Sequence, residues 1–271
     1  MLPPDAPGAI SRCLSVHVPQ VMGYDVSGVV LSAPADSSWK VGDEVYARLP
    51  NRTPGAYAER VAVPQDLLAR KPAKVSHEEA ASLPTVALPI QAGAGWVGSF
   101  AIQLAKHMGA VVTATGGPGN EAWMKDLGAH RIVGYTCEKF EDAGPYDVVY
   151  DSICGPLIER GIDRLRRGGR YVGLVRTVDK QSYREMGFPE PIATQAAAAV
   201  QPYIDRARAR AGEFHGPLTR PDGAQLAAIV EIIDSGAIRP TVTGTYDLDA
   251  LAEAYTSLAS GRTRGKLVLV L

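Results

Sequence analysis

Gly93-Ala94-Gly95-Trp96-Val97-Gly98 is a complete G-x-G-x-x-G motif, and it runs directly into the amphipathic stretch Ser99-Phe100-Ala101-Ile102-Gln103-Leu104-Ala105-Lys106. The first glycine permits a tight turn, the second lets the backbone touch a pyrophosphate, and the third lets helix and strand pack closely. The phosphates would lie at the helix N-terminus, where free N–H groups and the helix dipole favour negative charge. The stretch therefore predicts a dinucleotide-binding turn. A turn that only packs a helix on a sheet is the alternative, because the bulky Trp96 can either stack on a dinucleotide or block it.

Helices and strands alternate from about residue 90, through this motif and beyond it. Strands that alternate with helices in this way are typical of βαβ units on a parallel sheet. The predicted helices cover 97–108, 120–127 and 156–165, and the predicted strands cover 111–115, 147–150 and 170–174. We expect an α/β fold, with a Rossmann-type doubly wound parallel sheet.

The first 65 residues have a different pattern, with short β-branched or aromatic runs between Pro, Gly and Asp turns. The runs at 26–31, 44–48 and 57–63 predict antiparallel strands. Ser76 and Glu79 predict a capping box before a short helix at 80–83. The expected domains are 1–84, a small β domain that C-terminal strands can rejoin, and 85–271, a nucleotide-binding domain with a helical insert at about 178–213.

The insert and the C-terminal segment complete the predicted elements. Residues 192–211 are rich in Ala and Arg and predict one helix that bends near Pro202. Asp222 is expected to cap a helix that ends at Ile233, and Asp247 or Asp249 to cap a helix that ends at Leu258. Residues 267–271 predict a final strand.

Composition excludes several classes of function. The chain has 271 residues, with 28 Lys and Arg against 29 Asp and Glu, so no net field would hold nucleic acid or an anionic membrane. No apolar run approaches the roughly 20 residues that span a bilayer, and no secretory signal is recognisable. Cys13, Cys137 and Cys154 form no C-x-x-C pair, so we expect free thiols and a cytoplasmic location.

The residues after the predicted strand at 111–115 bear on cofactor preference. An NAD site usually places Asp or Glu there for the ribose 2′-hydroxyl. The run Thr115-Gly116-Gly117 has no acid. The sequence therefore favours NADP over NAD.

Several motifs resemble one family. Gly23-Tyr24-Asp25-Val26-Ser27-Gly28, Val41-Gly42-Asp43-Glu44-Val45-Tyr46 and Gly55-Ala56-Tyr57-Ala58-Glu59 resemble the GroES-like domain of medium-chain dehydrogenase/reductases, and residues 95–106 resemble the cofactor helix of quinone oxidoreductases. The resemblance implies a shortened, zinc-independent relative of NADPH-dependent quinone oxidoreductases and enoyl reductases. Such enzymes transfer hydride to an activated C=C bond or a quinone, and a homodimer and a small-molecule substrate are implied as well.

The same resemblance assigns residues to the cofactor. Asn120 and Tyr135 match contacts to the 2′-phosphate, Arg262 lies near another, and the backbone at Gly173 and Leu174 would lie beside the nicotinamide. The whole candidate set is Gly93, Gly95, Trp96, Val97, Gly98, Thr115, Gly116, Asn120, Tyr135, Gly173, Leu174 and Arg262. Zinc-dependent relatives have His-Glu where this chain has Tyr24-Asp25, and Tyr is not a usual zinc ligand, so no metal is expected.

Two departures from the family leave the function open. Only 22 residues precede Gly23, and after Leu88 the usual crossover helix and the strand before the glycine turn are missing. Residues 85–92 are a possible replacement strand, although Pro89 would remove a ladder hydrogen bond.

One alternative is therefore a redox-neutral cyclase, isomerase or eliminating enzyme on the same fold, acting on a polyketide-type product of secondary metabolism. Weak candidates for its acid or base are Tyr24, Asp25, Tyr46, Glu59 and Asp151. A second alternative is a non-catalytic binding or assembly protein that uses the 178–213 insert.

Overall fold

The structure is a computed structural model, and it describes residues 20–87, 95–174, 177–178, 180–185, 188–217, 219–260 and 263–271. Cys13, Gly93, Arg262 and residues 88–92 of the proposed replacement strand lie outside the described residues. The elements are numbered below in chain order.

The N-terminal module is a small antiparallel sheet, as predicted. It contains β1 (Asp25–Val29), β2 (Glu44–Arg48) and β3 (Leu68–Arg70), in the order β1-β2-β3. The predicted strand at 57–63 is wrong, because only its first residue bonds to neighbouring backbone. The Tyr57 N–H donates to Met22 O, and the residues that follow have no partner strand within the described part of the chain.

Two short helices close this module. In α1 (His77–Ala81) the Ser76 side chain accepts from the Glu79 N–H and the Glu79 carboxylate accepts from the Ser76 N–H, which confirms the predicted capping box. In α2 (Pro84–Ala87) the chain is helical. The prediction of a strand starting at Thr85 is therefore wrong: Pro84 is well suited to the first turn of a helix, where its missing N–H costs nothing.

The second half contains βαβ units, as predicted. Its elements are α3 (Trp96–His107), β4 (Thr113–Gly116), α4 (Glu121–Leu127), β5 (Arg131–Gly134), β6 (Tyr146–Asp151), α5 (Leu157–Asp163) and β7 (Leu165–Gly173). Strand β4 pairs in parallel with β5, and β6 pairs in parallel with β7. Among the described residues no ladder joins these two sheets.

The predicted insert is helical but not continuous. It contains α6 (Lys180–Glu185), α7 (Glu190–Ala198) and α8 (Gln201–Ala209), so the single bent helix predicted for 192–211 is wrong. The break lies at Ala199 and Val200, and it puts Pro202 in the first turn of α8, where its missing N–H interrupts no helical hydrogen bond. Strand β8 (Glu213–His215) then pairs in parallel with β7.

The C-terminal segment adds α9 (Gly223–Asp234), β9 (Val242–Asp247), α10 (Leu251–Ala259) and β10 (Lys266–Val270). Asp222 accepts from the Gln225 N–H, which confirms its predicted cap. The prediction for Asp247 or Asp249 is wrong: a 3-10 turn precedes α10, and neither that turn nor α10 has a side-chain cap. Strands β9 and β10 pair in parallel.

The largest apolar cluster joins the two halves. It contains Tyr46 from β2, Leu83, Phe100 from α3, and Leu226 and Ile229 from α9. The Tyr46 hydroxyl donates to the Leu226 carbonyl at 2.7 Å, and its side chain is fully buried. The N-terminal sheet is thus fixed to the second half of the chain by this shared apolar cluster. No helix within the described ranges is long and apolar enough to cross a membrane.

Replacing Tyr46 with Phe removes this donor and leaves the buried Leu226 carbonyl without it. We expect Tyr46→Phe to lower the free energy of unfolding by about 1–3 kcal/mol, measured by urea denaturation. Tyr135→Phe is the matched control, because Tyr135 is 65 % exposed. A Tyr46→Phe protein as stable as the control would contradict the structural role given to this hydroxyl.

Candidate functional site

The glycine turn enters the described structure at Gly95, which precedes the first residue of α3. Its backbone angles, φ −79° and ψ 174°, are open to any residue, so the backbone conformation does not require a glycine here. Gly95 forms a parallel β-bridge with Gly265, just before β10. Gly265 has φ +74°, and a Cβ there would lie 2.5 Å from the Thr241 carbonyl oxygen. Gly265 therefore has to stay a glycine.

The indole of Trp96 is turned into the protein. Its Nε1 donates to the Ser82 carbonyl at 2.7 Å, and its ring packs against the cluster around Tyr46 and Phe100. The Lys266 ammonium lies 3.3 Å from the ring centroid, in cation–π geometry. What Trp96 can offer a phosphate is therefore its backbone N–H. The same holds for Val97 and Gly98, since the first N–H groups of a helix have no acceptor within the helix.

Lys266 ties three segments together. Besides the Trp96 ring, its Nζ contacts Asp25 Oδ2 at 2.6 Å, and Asp25 Oδ1 accepts from the Thr85 hydroxyl at 2.6 Å. The Lys266 and Asp25 side chains are only 20 % and 10 % exposed. Burial lowers the pKa of the Lys266 ammonium, and the Asp25 carboxylate opposes that shift. Asp25 thus has two close partners and holds β10 against β1.

The carboxyl ends of β4 and β5 meet, as in any parallel pair. Thr115 and Gly116 end β4, the Tyr135 N–H donates to the Gly116 carbonyl at 3.3 Å, and Asn120 precedes α4 without using its side chain as a cap. A Cβ on Gly117 would lie 2.6 Å from the Tyr135 hydroxyl oxygen. The structure therefore brings Asn120 and the Tyr135 phenol to one loop, and their contact with a 2′-phosphate stays a prediction.

The arginine beside this loop is one that the sequence reasoning missed. Arg264 donates from Nη2 to the Gly119 carbonyl at 3.0 Å and is exposed. The prediction named Arg262, which lies outside the described residues. The signal that could have identified Arg264 is its place just before β10. A residue so close to the start of a strand is held in position by the pairing of that strand, whereas Arg262 is two residues further from it.

The carboxyl ends of β6 and β7 are joined by the Leu174 N–H, which donates to the Asp151 carbonyl at 3.2 Å. Gly173 lies against Thr177, whose hydroxyl is fully buried and has no hydrogen-bond partner among the described residues. Buried polar groups without partners are rare in native proteins and are often explained by a missing water or ligand.

The candidates for acid–base chemistry have other roles or few contacts. Tyr46 belongs to the core, as described. Asp151 accepts from the Tyr171 hydroxyl at 2.6 Å and from the N–H groups of Ile153 and Cys154 at 2.9 and 2.8 Å, so it closes the end of β6. Both were predicted as possible catalytic groups, and both are fully engaged in structure. Glu59 is exposed.

Two aromatic residues near Asp25 remain partly accessible. The Tyr24 ring lies 5.3 Å from the Arg48 guanidinium carbon. Tyr57 is half-buried, and burial followed by the electrostatic effect of the nearby Tyr255 raises its pKa to about 12. Tyr57 thus lies close to a residue of α10. The described residues contain no group of three or more His, Cys, Asp or Glu that could hold a metal ion. The absence of zinc stays a prediction from Tyr24-Asp25.

Comparison with known proteins decides the family. A profile described as "Zinc-binding dehydrogenase" matches residues 127–269, and one described as "Alcohol dehydrogenase GroES-like domain" matches residues 5–73. The chain is 30 % identical to "NAD(P)H oxidoreductase RTN4IP1, mitochondrial" of Danio rerio over 93 % of its own length and 72 % of that protein. This chain belongs to the medium-chain dehydrogenase/reductase superfamily.

Two further members of the superfamily are similar over most of the chain. It is 30 % identical to "2-methylene-furan-3-one reductase" of Solanum lycopersicum, covering 93 % of this chain and 64 % of that protein. The quinone oxidoreductase structure from Coxiella burnetii superposes with a TM-score of 0.80 at 29 % identity, covering 97 % of this chain and 83 % of that one. The GroES-like and Rossmann-type halves are thereby confirmed, and so is likeness to nicotinamide-dependent oxidoreductases.

The described residues fit a nicotinamide dinucleotide of the kind this superfamily uses. The start of α3 presents free N–H groups beside a glycine, the Trp96 indole is held elsewhere, and the loop after β4 has small residues beneath Tyr135. The unpartnered Thr177 hydroxyl lies beside Gly173, where the resemblance put the nicotinamide.

Removing the Lys266 ammonium tests the contacts of Lys266 with Asp25 and with the Trp96 ring, which hold the start of α3. We expect Lys266→Met to lower the free energy of unfolding by about 2–4 kcal/mol in urea denaturation, because the largely buried Asp25 carboxylate loses its counter-ion. Lys266→Arg should lose less. Lys125→Met, on the exposed side of α4, is the control and should change little. Equal stabilities of Lys266→Met and Lys125→Met would contradict the structural role given to the Lys266 ammonium.

Proposed function

We propose that this protein is an NADPH-dependent oxidoreductase that reduces an activated C=C bond or a quinone. The observation that carries the proposal is the start of α3: Gly95 has an ordinary extended backbone, the indole of Trp96 donates to the Ser82 carbonyl, and a bridge from Gly265 supports the turn. Membership of the superfamily supports the same reading. The proposed substrate is a small enone, enoyl thioester or quinone.

When bound, NADPH supplies the hydride, and the protein supplies binding, orientation and electrostatics. The N–H groups of Trp96, Val97 and Gly98 would take the pyrophosphate, together with the helix dipole. Asn120, Tyr135 and Arg264 would hold the 2′-phosphate. The backbone at Gly173 and Leu174 would orient the nicotinamide. A reductase of this kind needs no strong side-chain acid, which agrees with the structural engagement of Tyr46 and Asp151.

Gly95→Asp tests the pyrophosphate site. We expect the dissociation constant of NADPH to rise by about 100-fold or more in calorimetric titration, because a carboxylate would occupy the space of the pyrophosphate and repel its charge. The fold should survive, since the backbone at Gly95 is ordinary and Asp is a favourable residue before a helix. Gly95→Ser is the uncharged control. NADPH binding that survives Gly95→Asp would show that the site lies elsewhere.

Preference for NADPH over NADH is the finer part of the proposal. The loop after β4 carries no acid for a ribose 2′-hydroxyl, and it lies beside Tyr135 and the exposed Arg264. A phosphate is well matched to such a guanidinium, which can donate two hydrogen bonds to it.

Arg264→Met should raise the dissociation constant of NADPH by about tenfold or more and leave that of NADH unchanged, since only NADPH has the 2′-phosphate. The measurement is a calorimetric titration with each cofactor. Arg167→Met, which changes an exposed arginine of β7, is the control. Equal losses for NADPH and NADH would place Arg264 outside the 2′-phosphate site.

The oligomeric state and the cellular setting are also proposals. Strand β8 forms one edge of the β6-β7-β8 sheet, and members of the superfamily commonly dimerise by joining such edges, so we infer a homodimer. A cytoplasmic location and a role in secondary metabolism rest on the sequence reasoning alone. The redox-neutral alternative predicts no saturable NADPH binding at all, so the titration above distinguishes it from a reductase.

A further inference from the structure

Arg48, the last residue of β2, is a buried cation without a carboxylate partner among the described residues. It is 6 % exposed. Its hydrogen-bond acceptors are three neutral oxygens. Nε donates to the Thr85 hydroxyl at 3.3 Å, Nη1 donates to the Leu49 carbonyl at 3.0 Å, and Nη2 donates to the Asn51 amide oxygen at 2.7 Å. A guanidinium group has further N–H donors beyond these.

Asp25 is the acid closest to Arg48 in the sheet, because the two residues pair across β1 and β2. Cross-strand partners point to the same face. The Asp25 carboxylate is already bound to the Lys266 ammonium and the Thr85 hydroxyl, both at 2.6 Å. The hydroxyl of Thr85 lies between Asp25 and Arg48, donating to one and accepting from the other.

The buried cluster therefore has two cations, Arg48 and Lys266, and one anion, Asp25. Within the described ranges no other acid makes an ion pair with either cation. An uncompensated charge is costly to bury, and buried cations are usually paired. The cluster is one negative charge short of balance.

The position of Arg48 shows where that charge can come from. Asn51 Nδ2 donates to the Thr219 carbonyl at 3.3 Å, so Arg48 and Asn51 lie where the N-terminal module meets the loop before α9. The Tyr24 ring flanks the guanidinium. Asn51 is partly exposed, and its amide oxygen fills a place that a carboxylate oxygen could take.

We propose that Arg48 binds a carboxylate carried by the substrate, and that this ion pair selects anionic substrates. This inference rests on the proposed function, because it takes the molecule bound at Arg48 to be the substrate that is reduced. The cofactor pyrophosphate is not the expected partner, because its site is the start of α3, and Thr85 and Asp25 separate Arg48 from the Lys266 ammonium beside that start.

The test uses para-carboxybenzylideneacetone and its methyl ester, which share the enone and differ in charge. Binding of each to the full chain is measured by calorimetry without NADPH, and turnover is then followed by the loss of NADPH absorbance. We expect the acid to bind about tenfold to hundredfold more tightly than the ester, as for a charge-assisted hydrogen bond. Arg48→Met should abolish this preference, and Arg48→Lys should keep part of it. Arg52→Met, an exposed arginine on the next loop, should keep all of it.

Asn51→Asp covers the case in which Arg48→Met fails to fold. This change places an internal carboxylate on Arg48, so we expect a more stable protein that binds the acid at least tenfold more weakly and the ester unchanged. Asn51→Ala is its uncharged control and should keep the preference for the acid.

The outcomes separate this proposal from the reductase assignment. A preference for the acid that depends on Arg48, without NADPH oxidation, supports the carboxylate site and overturns the reductase. Turnover of both probes with no preference, or with one that Arg48→Met and Asn51→Asp leave intact, overturns the carboxylate site and keeps the reductase. Arg48→Met that weakens NADPH binding and not the acid would assign the guanidinium to the cofactor, which also overturns the proposal.

Discussion

The contact of Lys266 with Asp25 and Trp96 is the constraint on which the candidate site depends. One ammonium group joins β10 to β1 and lies against the first residue of α3. The Gly95–Gly265 bridge adds a backbone link at the same point. In a complete nucleotide-binding sheet the strand before the glycines would give this support. Here the described structure supports the turn from the side of β10, so the site does not depend only on the residues that precede it.

The same contact explains the charge at the interface of the two modules. Asp25 can neutralise one neighbour, and Lys266 is the closer. Arg48 is left with neutral oxygens, and the surrounding side chains of Tyr24, Asn51 and Thr85 can orient a ligand but cannot neutralise it. The structural role of Asp25 and the proposed recognition role of Arg48 therefore have one origin.

Much of this fold was predictable because its signals are local. The glycine turn and its helix, the capping box at Ser76 and the Asp222 cap each depend on residues a few positions apart. The strands β3, β5 and β8, of three or four residues, were missed because so short a run carries little periodicity, and the six-residue β9 was missed as well. The run at 57–63 has strand composition but no neighbouring strand in the part of the chain that the structure describes, and composition cannot reveal a missing partner.

The candidate site was predictable only in part for a related reason. Asn120 and Tyr135 follow a family pattern, whereas Arg264, Thr177 and Arg48 depend on contacts between distant segments.

The Gly95–Gly265 bridge joins two segments that are far apart in the sequence, and this has a consequence for biogenesis. During synthesis, the proposed phosphate-binding turn stays without this backbone partner until β10 has left the ribosome. In the proposed reductase, translation products that stop before β10 would therefore lack this support for cofactor binding.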